Sequence, residues 1–266
     1  MRNPYFDNAK AVLIVLVVAG HLLQLYVDKN INAHWLFVFI YLFHMAAFSL
    51  LSGYFSKKLK NVPKSIVKYL VLFIVCTFIF YPFAKINILE MLISPFFVLW
   101  YLVALALWYL LLQVFRLMKH PITIAFVVAV LAGYVYWICG IMALSRTLAF
   151  FPFFLIGYYA KKEDFIRLTK YRIPAAIILS AFAAAARWLD FDSNFLLCNV
   201  SYAALSHTEW YAGLHRLLIL LCSLVMTACF FAVVPKKRSR FTQLGQYTLY
   251  IFLGHGLILT IFGLYV

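Results

Sequence analysis

Charged side chains are scarce in this sequence, and acidic ones are scarcer still. Only 12% of the 266 residues are charged, with 8 Asp and Glu against 23 Lys and Arg. Because roughly a quarter of the residues in a soluble domain are charged, this composition excludes an ordinary soluble protein. Apolar side chains fill the gap, since 67% of the residues are hydrophobic and 19% are aromatic. The composition therefore predicts an integral membrane protein.

Several motifs with a known chemistry are also missing. The five cysteines form no Cys-x-x-Cys pair, and we find neither a Gly-rich phosphate loop nor an internal repeat. We expect no metal site and interpret the cysteines as small apolar residues. Cys139 and Cys198 fall near the same predicted membrane face, which leaves a disulfide between them open. The basic residues form short clusters between apolar runs, which topology explains without a nucleic-acid partner.

Long apolar runs recur along almost the whole chain. Each is near the length of about 17–25 residues that crosses a bilayer as a helix. The runs are continuous and do not alternate, which favours helices over barrel strands. The sixth run is short and contains Pro152, which predicts a broken or partly spanning helix. We predict an all-α, polytopic bundle forming one domain over 1–266, with nine spans at roughly 9–27, 34–55, 66–84, 95–115, 121–141, 147–160, 172–189, 212–234 and 244–264.

Positive charge predicts the orientation of the bundle. With the N-terminus in the cytoplasm, eighteen of the 23 basic residues and three of the 8 acids lie inside, and five of each lie outside. The whole net charge of +15 then lies on the cytoplasmic side, as the positive-inside rule requires. The first span has Asp7 in its leader and no clear small-residue cleavage site, so we expect an uncleaved helix and not a signal peptide.

Lys10 and His21 share one face of the first predicted helix. At about 100° and 1.5 Å per residue, the eleven steps between them make close to three turns and about 16 Å. Asp7 and Gln24 continue the same stripe, one turn beyond each end. Ionisable groups inside a bilayer are costly unless they face a cavity or one another. This stripe therefore predicts a functional surface that runs from the cytoplasmic boundary toward the membrane centre.

Two further histidines are predicted at a similar depth. His44 lies near the middle of the second predicted span, and His255 lies near the middle of the ninth. One such histidine is explained as well by a hydrogen bond between helices. Three at one level, with Lys10 on the face of His21, favour a functional site.

More candidate residues lie toward the outer end. Arg146 opens the sixth predicted span and Arg216 enters the eighth, where each would orient a substrate or extend to the membrane interface. Trp100 and Tyr101 belong either to the interfacial aromatic belt or to a surface that stacks on a sugar. We expect these four residues to contact or support a substrate.

Four segments of the chain resemble segments of one protein family, and they occur in the same order as in that family. "YFDNAKAVLIVLVVAGH" resembles the first helix of the acyltransferase 3 family of membrane acyltransferases, where an arginine or lysine is followed after ten residues by a histidine. The resemblance continues in "FHMAAFSLLSGYFSKK", "LSRTLAFFPFFLIGYY" and "LGQYTLYIFLGHGLI". Similar proteins include the fucose 4-O-acetylase-like and exopolysaccharide-modifying members. The family usually has ten spans, so a final C-terminal helix would be absent here.

The resemblance implies a function that spacing alone does not show. It implies transfer of an acyl group, usually acetyl from acetyl-CoA, to a hydroxyl of an extracytoplasmic glycan or lipid-linked sugar, in a bacterial plasma membrane. His21 would be the catalytic histidine and Lys10 its motif partner. His44 and His255 would position substrates or relay protons, and Lys64 and Lys68 would join Lys10 in binding acyl-CoA. The residues alone leave open a transporter of a sugar or lipid-linked glycan, or a non-catalytic partner of a polysaccharide synthase.

Overall fold

The computed structural model describes residues 3–57, 61–188 and 193–265, and within these ranges the chain is helical with no strand. The all-α prediction is confirmed. Arg2, Lys58, Lys60, Asp190 and Asp192, which entered the charge count, lie outside the described residues. The α-helices are α1 (Pro4–Gln24), α2 (Ile31–Tyr41), α3 (His44–Ser56), α4 (Val62–Ala84), α5 (Ile88–Ile93), α6 (Trp100–Phe115), α7 (Pro121–Leu131), α8 (Leu144–Tyr159), α9 (Lys162–Leu168), α10 (Arg172–Ala186), α11 (Asn194–Leu197), α12 (Ala212–Val233) and α13 (Thr248–Ile261).

Short side chains set where two of the long helices begin. The Asn3 side chain accepts a hydrogen bond from the Tyr5 backbone N–H at 3.0 Å, and Pro4 follows as the first residue of α1. Asn61 caps α4 in the same way through the Lys64 N–H at 2.9 Å. Asparagine at the cap and proline in the first turn both favour a helix start. The start of α1 places Lys10 and His21 two and five turns along the helix.

Each of the nine predicted spans corresponds to a helical segment. Within the described ranges, six helical stretches are long and apolar enough to cross a membrane, and a seventh is added if Arg240–Gln246 and Thr248–Ile261, bent by 77°, form one span. The stretch Pro121–Tyr134 is apolar but shorter. The protein is therefore an integral membrane helix bundle with six or more spans. The predicted segments at 121–141 and 147–160 are the ones that do not reach spanning length.

The chain is interrupted at a different place from the one that Pro152 predicted. α8 continues through Pro152 without a break, so the broken helix is wrong, whereas its 16 residues agree with the other alternative, a partly spanning helix. Proline is tolerated inside membrane helices where neighbouring helices and local adjustments compensate the lost hydrogen bond, and Pro152 is buried in the bundle. The second span instead contains a two-residue turn, since α2 ends at Tyr41 and α3 starts at His44, although neither proline nor glycine lies between them. The strongest bend, 77°, lies in the last span, between Arg240–Gln246 and Thr248–Ile261.

A close crossing of α3 and α8 forms the largest helix contact in the bundle. A Cβ atom on Gly53 would lie 1.8 Å from the backbone oxygen of Phe154, and one on Gly157 would lie 1.8 Å from the oxygen of Leu50. Small residues at such crossings let two backbones approach closely in a membrane. The crossing holds the helix of His44 against the helix that begins beside Arg146.

We expect Gly157→Ala to destabilise the folded protein strongly. The added Cβ would collide with backbone on α3, which has no flexible group to move aside, and overpacking of this kind costs about 1–3 kcal/mol or more. Thermal unfolding in detergent would show the loss. Gly254→Ala in α13 is the matched control, because nothing lies within 4 Å of its added Cβ. Equal melting temperatures for the two variants would contradict the close crossing.

Candidate functional site

A hydrogen-bonded histidine pair joins the first and last helices. The Nδ1 atom of His21 on α1 lies 3.0 Å from the Nε2 atom of His255 on α13, and the two rings are stacked with centroids 5.2 Å apart. The other nitrogen of His255, Nδ1, lies 3.0 Å from the backbone oxygen of Ile251, one turn earlier. Because His21 and His255 are 234 residues apart in sequence, only the tertiary fold brings this pair together.

The hydrogen bonds assign the protons of two neutral rings. A carbonyl oxygen only accepts, so Nδ1 of His255 donates to Ile251 and its Nε2 is left as the acceptor. The Nδ1–H of His21 then donates to that acceptor. A neutral imidazole carries one ring proton, so this assignment leaves Nε2 of His21 with its lone pair. The pair therefore orients His21 as a base.

His44 is the third histidine of the site. It is the first residue of α3, it is 2% exposed, and its Nδ1 donates to the backbone oxygen of Ile40 at 2.8 Å. Its ring packs edge-on against Tyr41, with centroids 4.6 Å apart. The interruption between α2 and α3 thus places an imidazole at a helix start, with its proton held by the preceding helix.

One cavity, which we call the histidine cavity, brings four of the predicted residues together. Its volume is about 320 Å³. His21, His44, Trp100 and Arg146 all line it, as does Gln24. Aromatic side chains form much of the remaining wall, including Tyr41, Phe97 and Phe150. None of the lining residues is acidic. A neutral or anionic polar ligand fits these surroundings better than a cation does.

A second cavity of about 290 Å³, which we call the lysine cavity, lies further toward the start of α1. Lys10 lines it, with its Nζ 3.9 Å from the centroid of the Phe55 ring. Tyr101 also lines it and shares a 2.9 Å hydrogen bond with Ser52. Its walls combine apolar surface with hydroxyl groups, including those of Tyr69 and Tyr109.

The two cavities are neighbours along one face of α1. Val17, Met45 and Phe252 line both of them. Lys10 and Val17 line the lysine cavity, and Val17 and His21 line the histidine cavity, so the stripe on α1 is continuous. The helix rise puts Lys10 and His21 about 16 Å apart along the axis. A ligand that reached from Lys10 to His21 would pass between these three shared side chains.

Other predicted residues lie outside both cavities. Asp7 is buried, and its backbone packs against Gly245, where an added Cβ would lie 1.9 Å from the Asp7 oxygen. Lys64 and Lys68 are exposed on α4, with Lys68 over the ring of Tyr69. Arg216 is buried on α12 and lines neither cavity. The structure therefore brings Lys10, but not Lys64 or Lys68, to the lysine cavity.

The disulfide that the sequence left open is not formed. Cys139 and Cys198 are both free thiols. Cys198 instead donates weakly to the backbone oxygen of Phe195, at 3.5 Å. Among the described residues, no group of three or more His, Cys, Asp or Glu side chains is placed to hold a metal ion.

Three strained backbone positions, which the sequence did not indicate, border the histidine cavity. Phe97 has φ 45°, and its ring lies 4.9 Å from that of His21. Ala143 lines the same cavity with φ 52°, and Cys198, with φ 51°, stands between two lining residues. Left-handed backbone costs free energy for residues other than glycine and clusters at functional sites. No glycine or motif marks these positions, so sequence reasoning had no signal for them.

His21 thus presents a half-buried imidazole with a free lone pair, set among membrane-spanning helices beside two cavities. Membrane enzymes use such a group for acid–base or nucleophilic chemistry. A family model described as an acyltransferase domain, that of acyltransferase 3, matches residues 3–266. The chain belongs to the acyltransferase 3 family.

Two curated relatives share a short stretch with this chain. Nodulation protein NolL of Sinorhizobium fredii (strain NBRC 101917 / NGR234) is 50% identical over 56 residues, which are 20% of this chain and 15% of the relative. NolL of Mesorhizobium japonicum (strain LMG 29417 / CECT 9101 / MAFF 303099) is 48% identical over 58 residues, 21% of this chain and 16% of that protein. The matched stretch thus spans about a sixth of each relative's length. No solved structure matches the chain.

Proposed function

We propose that this protein is a membrane O-acyltransferase that moves an acyl group, typically acetyl, from cytoplasmic acyl-CoA to a hydroxyl of an extracytoplasmic glycan or lipid-linked sugar. The observation that carries the proposal is the orientation of His21. Its Nδ1–H is held by His255, which leaves Nε2 free as a base, and His21 lines the cavity next to the one that contains Lys10. Membership in an acyltransferase family supports the same reaction.

The chemistry requires one proton acceptor. An alcohol attacks a thioester poorly while it keeps its proton, and a neutral imidazole is a suitable base near pH 7. Nε2 of His21 takes the proton as the acceptor oxygen bonds to the thioester carbon. The carbon–sulfur bond then breaks, and the departing CoA sulfur receives the proton from His21. The products are an O-acyl ester and free CoA, so no further reactant is needed.

We assign the donor to the lysine cavity. The positive charge of Lys10 suits the phosphate-bearing part of acyl-CoA, and the hydroxyls of Ser52, Tyr69 and Tyr109 suit the amides of its narrow arm. The thioester would pass between Val17, Met45 and Phe252 to reach His21. The acceptor hydroxyl would enter the histidine cavity from the other end. This arrangement keeps the N-terminus of α1 in the cytoplasm.

The proposal is tested with sealed membrane vesicles, because acyl-CoA does not cross a bilayer. Inside-out vesicles that carry the protein and enclose hexose and hexuronate oligosaccharides receive labelled acetyl-CoA outside. We expect label on the enclosed glycan as an alkali-labile ester. Right-side-out vesicles with the same external acetyl-CoA should give no labelled ester, because the donor cavity then faces the lumen.

Three outcomes would contradict the proposal or its assignment of sides. Acetyl-CoA that is not consumed by any vesicle preparation, with any acceptor, would exclude the enzyme. Release of unmodified oligosaccharide without consumption of acetyl-CoA would instead indicate the transporter that the sequence left open. Equal labelling in both vesicle orientations would overturn the assignment of donor and acceptor to opposite sides.

A further inference from the structure

Two arginines lie at the histidine cavity: Arg146 is half-buried and lines it, and Arg216 is buried behind it. Arg146 lines the cavity, donates from Nε to the backbone oxygen of Leu197 at 3.1 Å, and lies over the Trp100 ring with its guanidinium carbon 5.1 Å from the centroid. Arg216 is only 1% exposed and lies over the ring of Tyr202. Its Nη2 makes a long hydrogen bond of 3.4 Å to a backbone oxygen, while Nε and Nη1 have no partner.

Neither guanidinium has a negative partner in the described part of the chain. Over residues 3–57, 61–188 and 193–265, no carboxylate forms an ion pair with Arg146 or Arg216. Cys198 lies near both guanidinium groups, but burial raises the pKa of its thiol. The thiol therefore stays neutral and is not a counter-charge. A buried charge without a counter-charge is costly. The buried Arg216 and the half-buried Arg146, which both lie near Cys198, therefore need an explanation.

Topology does not supply that explanation. The excess of positive charge belongs to the predicted cytoplasmic side, where the cations are mostly exposed lysines between helices. Arg146 and Arg216 belong to the opposite side, where the predicted charges balance. An arginine that only extended to the interface would expose its guanidinium to water. Arg216 is buried and Arg146 lines a cavity, so both differ from that pattern.

The setting of Arg146 suits an oxyanion. Its Nε is held by Leu197 and its plane by Trp100, which leaves its two Nη groups without a hydrogen-bond partner among the described residues. A guanidinium held in this way presents two parallel N–H donors, and carboxylate and phosphate groups accept such a pair in bidentate fashion. His21 and Tyr41 line the same cavity as Arg146. An anion held here would lie within the space where the acceptor reacts.

We propose that the acceptor is anionic, and that Arg146 binds its carboxylate or phosphate in the histidine cavity while Arg216 adds positive potential from behind. This inference rests on the proposed function, since it names the chemistry of the acceptor. The anion could belong to an acidic sugar such as a hexuronate, or to the phosphate that links a sugar to a lipid. Binding at Arg146 would hold the sugar with a hydroxyl toward His21.

Two matched pairs of probes test the inference by direct binding, without acyl transfer. Methyl glucuronide is compared with methyl glucoside, and glucosyl decyl phosphate with decyl glucoside, each added to purified wild-type protein in a titration followed by thermal shift. We expect at least one anionic probe to bind about tenfold or more tightly than its neutral match. The pair that shows the difference distinguishes a carboxylate from a lipid-linked phosphate.

Variants connect that preference to the arginine. Arg146→Gln should reduce the anionic preference to less than about twofold. Arg146→Lys should retain part of it, because the positive charge remains but the two parallel N–H donors of the guanidinium are lost. Arg187→Gln is the control, since Arg187 is exposed and bonds Asn32.

The inference is overturned if neither anionic probe binds better than its neutral match, or if the preference persists in Arg146→Gln. It is also overturned if Arg146→Gln lowers kcat equally for neutral and anionic acceptors with binding unchanged, because Arg146 would then serve only the reacting carbonyl. An anionic preference in a protein that never consumes acetyl-CoA would keep the binding site and reject the proposed function. Efficient transfer to neutral acceptors without any anionic preference would support the proposed function and reject the anion-binding site.

Discussion

Replacing His21 with glutamine is expected to lower kcat for acyl transfer by about 10²–10⁴-fold, the usual contribution of a positioned general base. Glutamine is close in size to histidine and keeps a polar group toward His255, so the packing of α1 against α13 should survive. It has no group that accepts a proton near pH 7. The measurement is the rate of ester formation from labelled acetyl-CoA under saturating donor and acceptor.

His120→Gln is the matched control for this variant. His120 is exposed immediately before α7, its side chain makes no capping hydrogen bond, and it lines neither cavity. Its replacement should leave the rate within about twofold, as expected for a surface position. A His21→Gln protein that folds, binds acetyl-CoA and still transfers at the wild-type rate would show that the base lies elsewhere.

Replacing His255 with leucine is expected to lower kcat by about 10–100-fold, with little change in the KM for the donor; partners that orient a functional imidazole have effects of this size in metal sites. His255 does not line the histidine cavity. It acts through His21 by accepting the Nδ1–H at 3.0 Å, which keeps the lone pair of His21 on Nε2. Without that acceptor, the His21 ring is free to rotate and to carry its proton on the other nitrogen.

The conservative variant separates this positioning role from a merely structural one. The amide oxygen of glutamine takes nearly the same place as Nε2 of histidine, so His255→Gln should recover much of the activity lost in His255→Leu. Both variants should melt at similar temperatures, because each preserves side-chain volume. Equal loss of activity in the two variants, together with equal loss of stability, would assign His255 to packing alone.

Much of the architecture follows from local sequence, since hydrophobic length and helical period act within one segment. The nine apolar runs predict helical segments at the right places, and the eleven-residue spacing predicts that Lys10 and His21 share a face. The face is continuous in the structure, where Val17 joins the two cavities. Boundaries were less well predicted: the run expected at 172–189 belongs to a helical stretch that starts at Lys162. Helix ends depend on caps and packing, which hydropathy does not measure.

The sequence by itself determined an all-α membrane bundle and the histidine stripe of its first helix, because these depend on composition and on a period of 3.6 residues. Only the tertiary structure decided that His255 binds His21, that Lys64 and Lys68 stay away from the cavity of Lys10, and that the second span breaks before His44. Each of these depends on which helices touch, and at which rotation. Contacts of that kind join residues far apart in sequence, so no local pattern records them.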